Sequence, residues 1–192
     1  MILPVVKFGH PTLRQKGARI EAVTPDLRQF IADMFETMYE AHGIGLASQQ
    51  VGRALQLTVI DVRGAKDRPS QLWIDGQEAS VEAFMPLVLL NPAVTPSGPR
   101  IRAAEGCLSF PEIFGEVERH TEVEVTAQNE RGEQFHFKAG GLVARAVQHE
   151  FDHLQGILFI DRMDSTTRDE VRAEVDELQQ TTKAALAAAR KK

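Results

Sequence analysis

The chain has 192 residues, 43% of them hydrophobic and 26% charged, with a net charge of −5. These values suit one domain spanning 1–192 with a sizeable core, and they argue against nucleic acid as a substrate, since no excess of positive charge is there to meet phosphate. The single cysteine excludes an intramolecular disulfide, and apolar runs such as Phe84 to Leu90 are too short, and too interrupted by Pro86, to span a bilayer.

The opening Met1-Ile2-Leu3-Pro4-Val5-Val6 lacks the charged start and long apolar stretch of a signal peptide. A reducing bacterial cytoplasm is the expected setting, with an organelle left open. Thr24-Pro25 predicts a helix start, with Thr24 as cap and Pro25 in the first turn, and the helix runs from about Asp26 to Ala41. Leu27, Phe30, Ile31, Met34, Phe35 and Met38 form its apolar stripe, and Gly43 ends it. Gln56 to Val62 reads as a strand, and Arg63 to Ala83 as a polar loop or hairpin excursion holding Trp73. Leu87 to Asn91 and Glu116 to Gln128 read as strands. In the second, Val117, Val123 and Val125 keep the alternation of a half-buried face. Asn129-Glu130-Arg131-Gly132 is a turn into Glu133 to Phe137. Thr167-Arg168-Asp169-Glu170 has the form of a capping box for a last helix over about 165–192, ending in Arg190-Lys191-Lys192. Short connections between strands and helices predict an α+β fold: antiparallel sheets around a central helix, with an N-terminal and a C-terminal helix.

The central helix carries the chemistry. After Gly140-Gly141, the run Leu142 to Gln155 contains no Pro or Gly, and Gly156 offers a stop. Within it lies Gln148-His149-Glu150-Phe151-Asp152-His153, an H-E-x-x-H sequence. Four residues apart on a helix, His149 and His153 project from one face and can grip one metal ion, while Glu150 stands beside it to move a proton. With 6 His and 17 Glu in the chain, chance alone yields such a run about 0.02 times, so its context has to support it. A pair of core histidines bonded to backbone is the plainer alternative. A hydrolytic metal site needs a third protein ligand. No histidine follows His153, and Glu170, Glu174 and Glu177 lie on what reads as a solvated helix face. Upstream, Cys107 in Glu105-Gly106-Cys107-Leu108-Ser109 is the better candidate, because a thiolate binds borderline metals strongly.

Three segments together resemble the peptide deformylase family: Gly43-Ile44-Gly45-Leu46-Ala47-Ser48-Gln49-Gln50, Glu105-Gly106-Cys107-Leu108-Ser109 and Gln148 to His153. The opening Val6-Lys7-Phe8-Gly9-His10-Pro11-Thr12-Leu13-Arg14 is similar to the family's start, and the likeness extends over about residues 4 to 163. The resemblance implies removal of the formyl group from the formyl-methionine of newly made polypeptides, with release of formate. It implies Cys107, His149 and His153 as metal ligands, Glu150 as the proton shuttle, and Gln50 with the Leu108 N–H as stabilisers of the oxyanion. Gly45 is implied to hold the peptide main chain, and Ile44, Leu142 and Ala146 to line the methionine pocket. Ferrous iron is the implied native metal, with nickel, cobalt or zinc able to occupy the site in a preparation. Nascent formyl-methionyl chains are the implied partners, and the ribosome a further one through Arg190-Lys191-Lys192, although a solvated end is the plainer reading of those residues.

Some positions depart from the family's pattern. Ser48 and Gln49 precede Gln50 where other residues are usual, His10 stands where an acid is common, and the 63–83 excursion is long. Arg145 occupies a usually apolar position and is expected to cover the pocket rim with its stem while its head reaches solvent. Glu105 is expected to pair with Arg119. A zinc endopeptidase and a non-catalytic, metal-stabilised relative stand as alternatives; the missing downstream ligand weighs against the first, and Glu150 with Gln50 against the second.

Overall fold

A computed structural model describes residues 1–190. Thr24 caps the first helix, α1 (Pro25–Glu40), by accepting a hydrogen bond from the Leu27 N–H, and Pro25 sits where its missing donor costs nothing. The stripe from Leu27 to Met38 is buried against β1 (Gly45–Ala47), β2 (Leu57–Ile60) and the start of β5 (Leu87–Cys107).

The described strands form one antiparallel sheet in the order β1-β2-β5-β6-β7-β3-β4, where β6 is Phe110–Gln128, β7 is Gln134–Gly140, and β3 (Ser70–Ile74) and β4 (Gln77–Glu78) make a hairpin. The 63–83 excursion is therefore part of the sheet: Gln71 to Trp73 pair with β7, and a short helix, α2 (Val81–Phe84), follows. The larger departure from the sequence reading is the length of β5 and β6. The expected strands were Leu87 to Asn91 and Glu116 to Gln128, yet pairing continues past Pro92, Pro96, Gly98 and Pro99, from Leu90↔Gln128 to Cys107↔Phe110. Register shifts at Leu90/Ala93, Ser97/Arg100 and Gly106/Cys107 absorb the irregular residues, as bulges do. This long hairpin carries Cys107 to the floor of the fold.

The central helix, α3 (Gly141–Leu154), packs under the sheet; Val143, Ala144 and Val147 join Leu72, Leu89, Val123, Val125 and Phe137 in one core cluster. Gly156, at φ +73°, turns the chain after it. The last helix starts earlier than Thr167. Asp164 is the cap and accepts from the Thr167 N–H, so Thr167 is the recipient of the cap. A break at Val171 then divides α4 (Ser165–Glu170) from α5 (Arg172–Ala189). Val171, Val175 and Leu178 rest on the cluster built by Phe8, Phe110 and Phe159, while Glu174 and Glu177 face solvent. Lys191 and Lys192 lie outside the described residues.

The entry into α3 is sterically fixed. Gly141 has φ +63°, and a Cβ there would stand 2.3 Å from the Pro69 carbonyl oxygen. Gly141→Ala is expected to lower unfolding free energy by about 2–4 kcal/mol, measured by urea denaturation.

Candidate active site

From Leu142 to Gln148 α3 is buried, and its second half presents His149 and His153 toward the end of β5. The Cys107 Sγ and His153 Nε2 are 3.3 Å apart, and ligand-type atoms of Cys107, His149 and His153 all lie within 4.8 Å of one another. Residues distant in sequence thus meet at one point, as the search for a third ligand required. No downstream acid approaches it among the described residues.

Behind His149 is a buried charge network. Glu105, on β5, accepts from Arg119 on β6 at 3.0 and 3.1 Å and from Arg145 on α3 at 2.7 Å. Its Oε2 is 3.0 Å from His149 Nδ1. Burial pushes the Glu105 carboxyl up, but the bonds from His149 and Arg119 outweigh it and hold it far below the usual carboxylate range. Glu105 is therefore ionised, so His149 Nδ1 is the donor and Nε2 is left to face the cluster. Arg119 also donates to Asp152 at 2.5 Å, and Asp152 accepts from Arg162 at 2.6 Å.

The expected Glu105–Arg119 pair is present and buried. Arg145 does not behave as expected. It is 6% exposed, and its head turns inward to Glu105 and to the carbonyls of Val117 and Ile101. A buried ionised Glu105 draws the guanidinium in more strongly than solvent does. Arg145 and Asp152 were the members of this network that sequence reasoning missed. The signal was there: both lie on the turns of α3 that flank His149, where an apolar face would be expected.

A cleft of about 610 Å³ opens above the cluster. Ile44, Gly45, Gln50, Leu108, Leu142 and Ala146 line it, together with Cys107, His149 and Glu150; His153 sits behind them, 1% exposed. Gln50 is held in a 3₁₀ turn, Ser48–Val51, where its Oε1 accepts from the Ala47 N–H at 2.8 Å. Its Nε2 is thereby turned toward Cys107 Sγ, 3.4 Å away, and Ser109 Oγ, 3.5 Å away. Glu150 is 4% exposed and its Oε2 has no partner. Burial pushes its pKa up to about 7, against the pull of a positive His149. Gly45 has a reason beyond the approach of a peptide: a Cβ there would lie 2.4 Å from Glu150 Oε1.

The donor set fits a metal ion. It combines one thiol and two imidazoles, one of them oriented by a carboxylate, with an acid that has one oxygen free beside them in an open cleft. An α+β fold that closes such a cluster with a helix and a distant strand end defines a class of single-metal hydrolases. The polypeptide deformylase family model matches residues 2–169, and the chain belongs to that family. It is an enzyme that removes the formyl group from the N-terminus of newly made polypeptides. A peptide deformylase of Opitutus terrae is 43% identical over 96% of this chain and 97% of its own length. The peptide deformylase 1B of Arabidopsis thaliana, solved with an inhibitor, superposes with a TM-score of 0.82 at 35% identity, covering 95% of this chain and 93% of its own. A peptide deformylase from Legionella pneumophila gives 0.78 at 32% identity over 94% and 97%. The endopeptidase and the non-catalytic relative are not favoured by these comparisons.

Because the folded pKa of Glu105 lies below its unfolded value of about 4.5, its stabilisation is complete above that value and fades as pH falls toward the folded one. Glu105→Gln in metal-free protein is expected to cost about 3–5 kcal/mol at pH 7 and to flatten the loss of stability below pH ~4.5, read by denaturation at a series of pH values. The same variant is expected to weaken metal binding about 10–100-fold in a chelator competition.

Proposed function

We propose that the whole chain, 1–192, is one catalytic domain in which Cys107, His149 and His153 hold a single divalent ion, Fe2+ in the native enzyme. One thiolate with two imidazoles also accepts Ni2+, Co2+ or Zn2+. When bound, such an ion supplies Lewis acidity and lowers the pKa of an attacking water toward ~7. The single observation that carries the reading is the meeting of Cys107 with the two histidines beside a Glu150 whose Oε2 has no partner.

In this reading Glu150 takes a proton from the attacking water on its carboxylate and returns it to the amine that leaves. The metal's charge favours its ionised form. The Gln50 Nε2–H and the Leu108 N–H donate to the formyl oxygen as it gains charge, a stabilisation worth roughly 3–4 kcal/mol per donor in comparable sites. Gly45 begins β1, an edge strand whose other neighbour is missing from the sheet, which supports its role as a strand-like partner for the substrate's main chain. Ile44, Leu142 and Ala146 are apolar and line the cleft, which suits a methionine side chain.

The partner is a nascent formyl-methionyl chain, and the place of action the bacterial cytoplasm. Bacterial relatives and a site that needs a reduced Cys107 support this, and no described helix is long and apolar enough to cross a membrane. Ribosome contact through the last helix rests on the resemblance alone: Arg190 is exposed, and Lys191 and Lys192 are outside the described residues.

The protein purified without oxygen and loaded with Fe2+ is expected to release formate from formyl-Met-Ala-Ser and to leave casein intact. Glu150→Ala is expected to lose about 10²–10⁴ in kcat with its metal retained, and Cys107→Ser to lose metal as measured by elemental analysis. A fully loaded protein that released no formate would overturn the reading.

A further inference from the structure

The opening segment Val5 to Phe8 lies extended between the two parts of the site that handle the oxyanion. The Val6 N–H donates to the Gln50 carbonyl at 2.8 Å, and the Phe8 N–H to the Ser109 carbonyl at 2.9 Å. Strand-like alternation follows from this. Val6 and Phe8 turn toward the Phe110–Phe159 cluster, and Lys7 turns the other way, into the cleft. There the Lys7 Nζ donates to the Leu108 carbonyl at 2.8 Å. No other hydrogen bond to that carbonyl is made by the described backbone outside helices and strands.

We propose that Lys7 is a positioning residue for the deformylation reaction, fixing the Cys107–Ser109 turn so that the Leu108 N–H points at the formyl oxygen. The proposal rests on the reading of Gln50 and Leu108 as oxyanion donors. Leu108 stands where β5 turns into β6, beyond the last regular pairs of the hairpin, and a register shift occurs at Gly106/Cys107. Leu108 and Ser109 are the two turn residues inside the last pair, Cys107↔Phe110, so the ladder fixes the ends of the turn but not the Leu108–Ser109 peptide between them. Three bonds from one short segment brace the turn: two tie Gln50 and Ser109 to a common rod, and the third, from the ammonium, holds the carbonyl of Leu108 itself. A charge-assisted bond to a carbonyl at a half-buried position is stronger than a neutral one. The carbonyl that Lys7 holds belongs to the Leu108–Ser109 peptide and the Leu108 N–H to the Cys107–Leu108 peptide before it, so the effect of Lys7 on the reaction passes through the Leu108 backbone angles that join the two units.

Such a role separates from general stability. Lys7→Met keeps the length and apolar stem but removes the donor, and Lys7→Arg keeps a donor. In the Fe2+ enzyme, Lys7→Met is expected to lower kcat about 10–100-fold, with KM within about twofold, metal content per chain unchanged and thermal midpoint close to that of the parent. Lys7→Arg is expected to recover a large part of the loss. Gln50→Leu, assayed beside them, tests the reading underneath. If Gln50→Leu leaves kcat intact, the oxyanion assignment fails. If it lowers kcat while Lys7→Met does not, the role of Lys7 alone is refuted. A fall in kcat for Lys7→Met that tracks an equal loss of metal or of folded protein would also overturn the proposal, as would a Lys7→Arg variant no better than Lys7→Met.

Discussion

The site depends on one buried carboxylate. Glu105 sits on β5 two residues before Cys107, and it reaches His149 on α3, Arg119 on β6 and Arg145 on α3. An anion in that position would be very costly if unpaired. Two guanidiniums and an imidazole N–H meet it, so the strand end, its neighbour and the helix are locked in one relative placement. Removing any one partner leaves a buried charge exposed to that cost. This is why the charged network fixes geometry.

The second constraint is topological. A helix supplies two ligands at one spacing, but the third has to come from elsewhere, and here a paired strand brings a distant residue to the same point on a rigid backbone. The β5–β6 hairpin does this. It pairs from Leu90 and Gln128 down to Cys107 and Phe110, and its bulges allow prolines and glycines to be accommodated on the way. The core clusters on either side hold α3 and α1 against the same sheet. The turn that ends this hairpin then becomes part of the cleft wall.

In the proposed mechanism neighbouring groups of the cleft divide the work. Glu150 is buried, its Oε2 without a partner, beside a glycine that leaves it room. Burial pushes the pKa of an acid so placed upward in the metal-free protein. Gln50 has one end of its amide used by Ala47, which decides where the other end points. The edge strand β1 brings Gly45, and Ile44 just before it, to the same opening, so the Cys107, His149 and His153 cluster, the Gln50 amide and a strand edge are presented together.

Much of this was legible in the chain. Thr24-Pro25, the α1 stripe and Gly156 act through local geometry, and they gave α1 and the end of α3 nearly to the residue. H-E-x-x-H is also local: helical spacing alone puts His149, Glu150 and His153 where they are needed. Cys107 was identified only by its neighbours and by resemblance, since no local rule links it to a helix far along the sequence. The strands through Pro92, Pro96 and Pro99 were hidden, because pairing with β6 overrides what those residues prefer in isolation. Thr167 looked like a cap until Asp164 proved better placed to be one. The fate of Arg145 was decided by the fold alone. Its sequence position speaks of a solvated head, but a buried, ionised Glu105 within 2.7 Å draws the guanidinium inward, and that meeting exists only when α3 lies against β5.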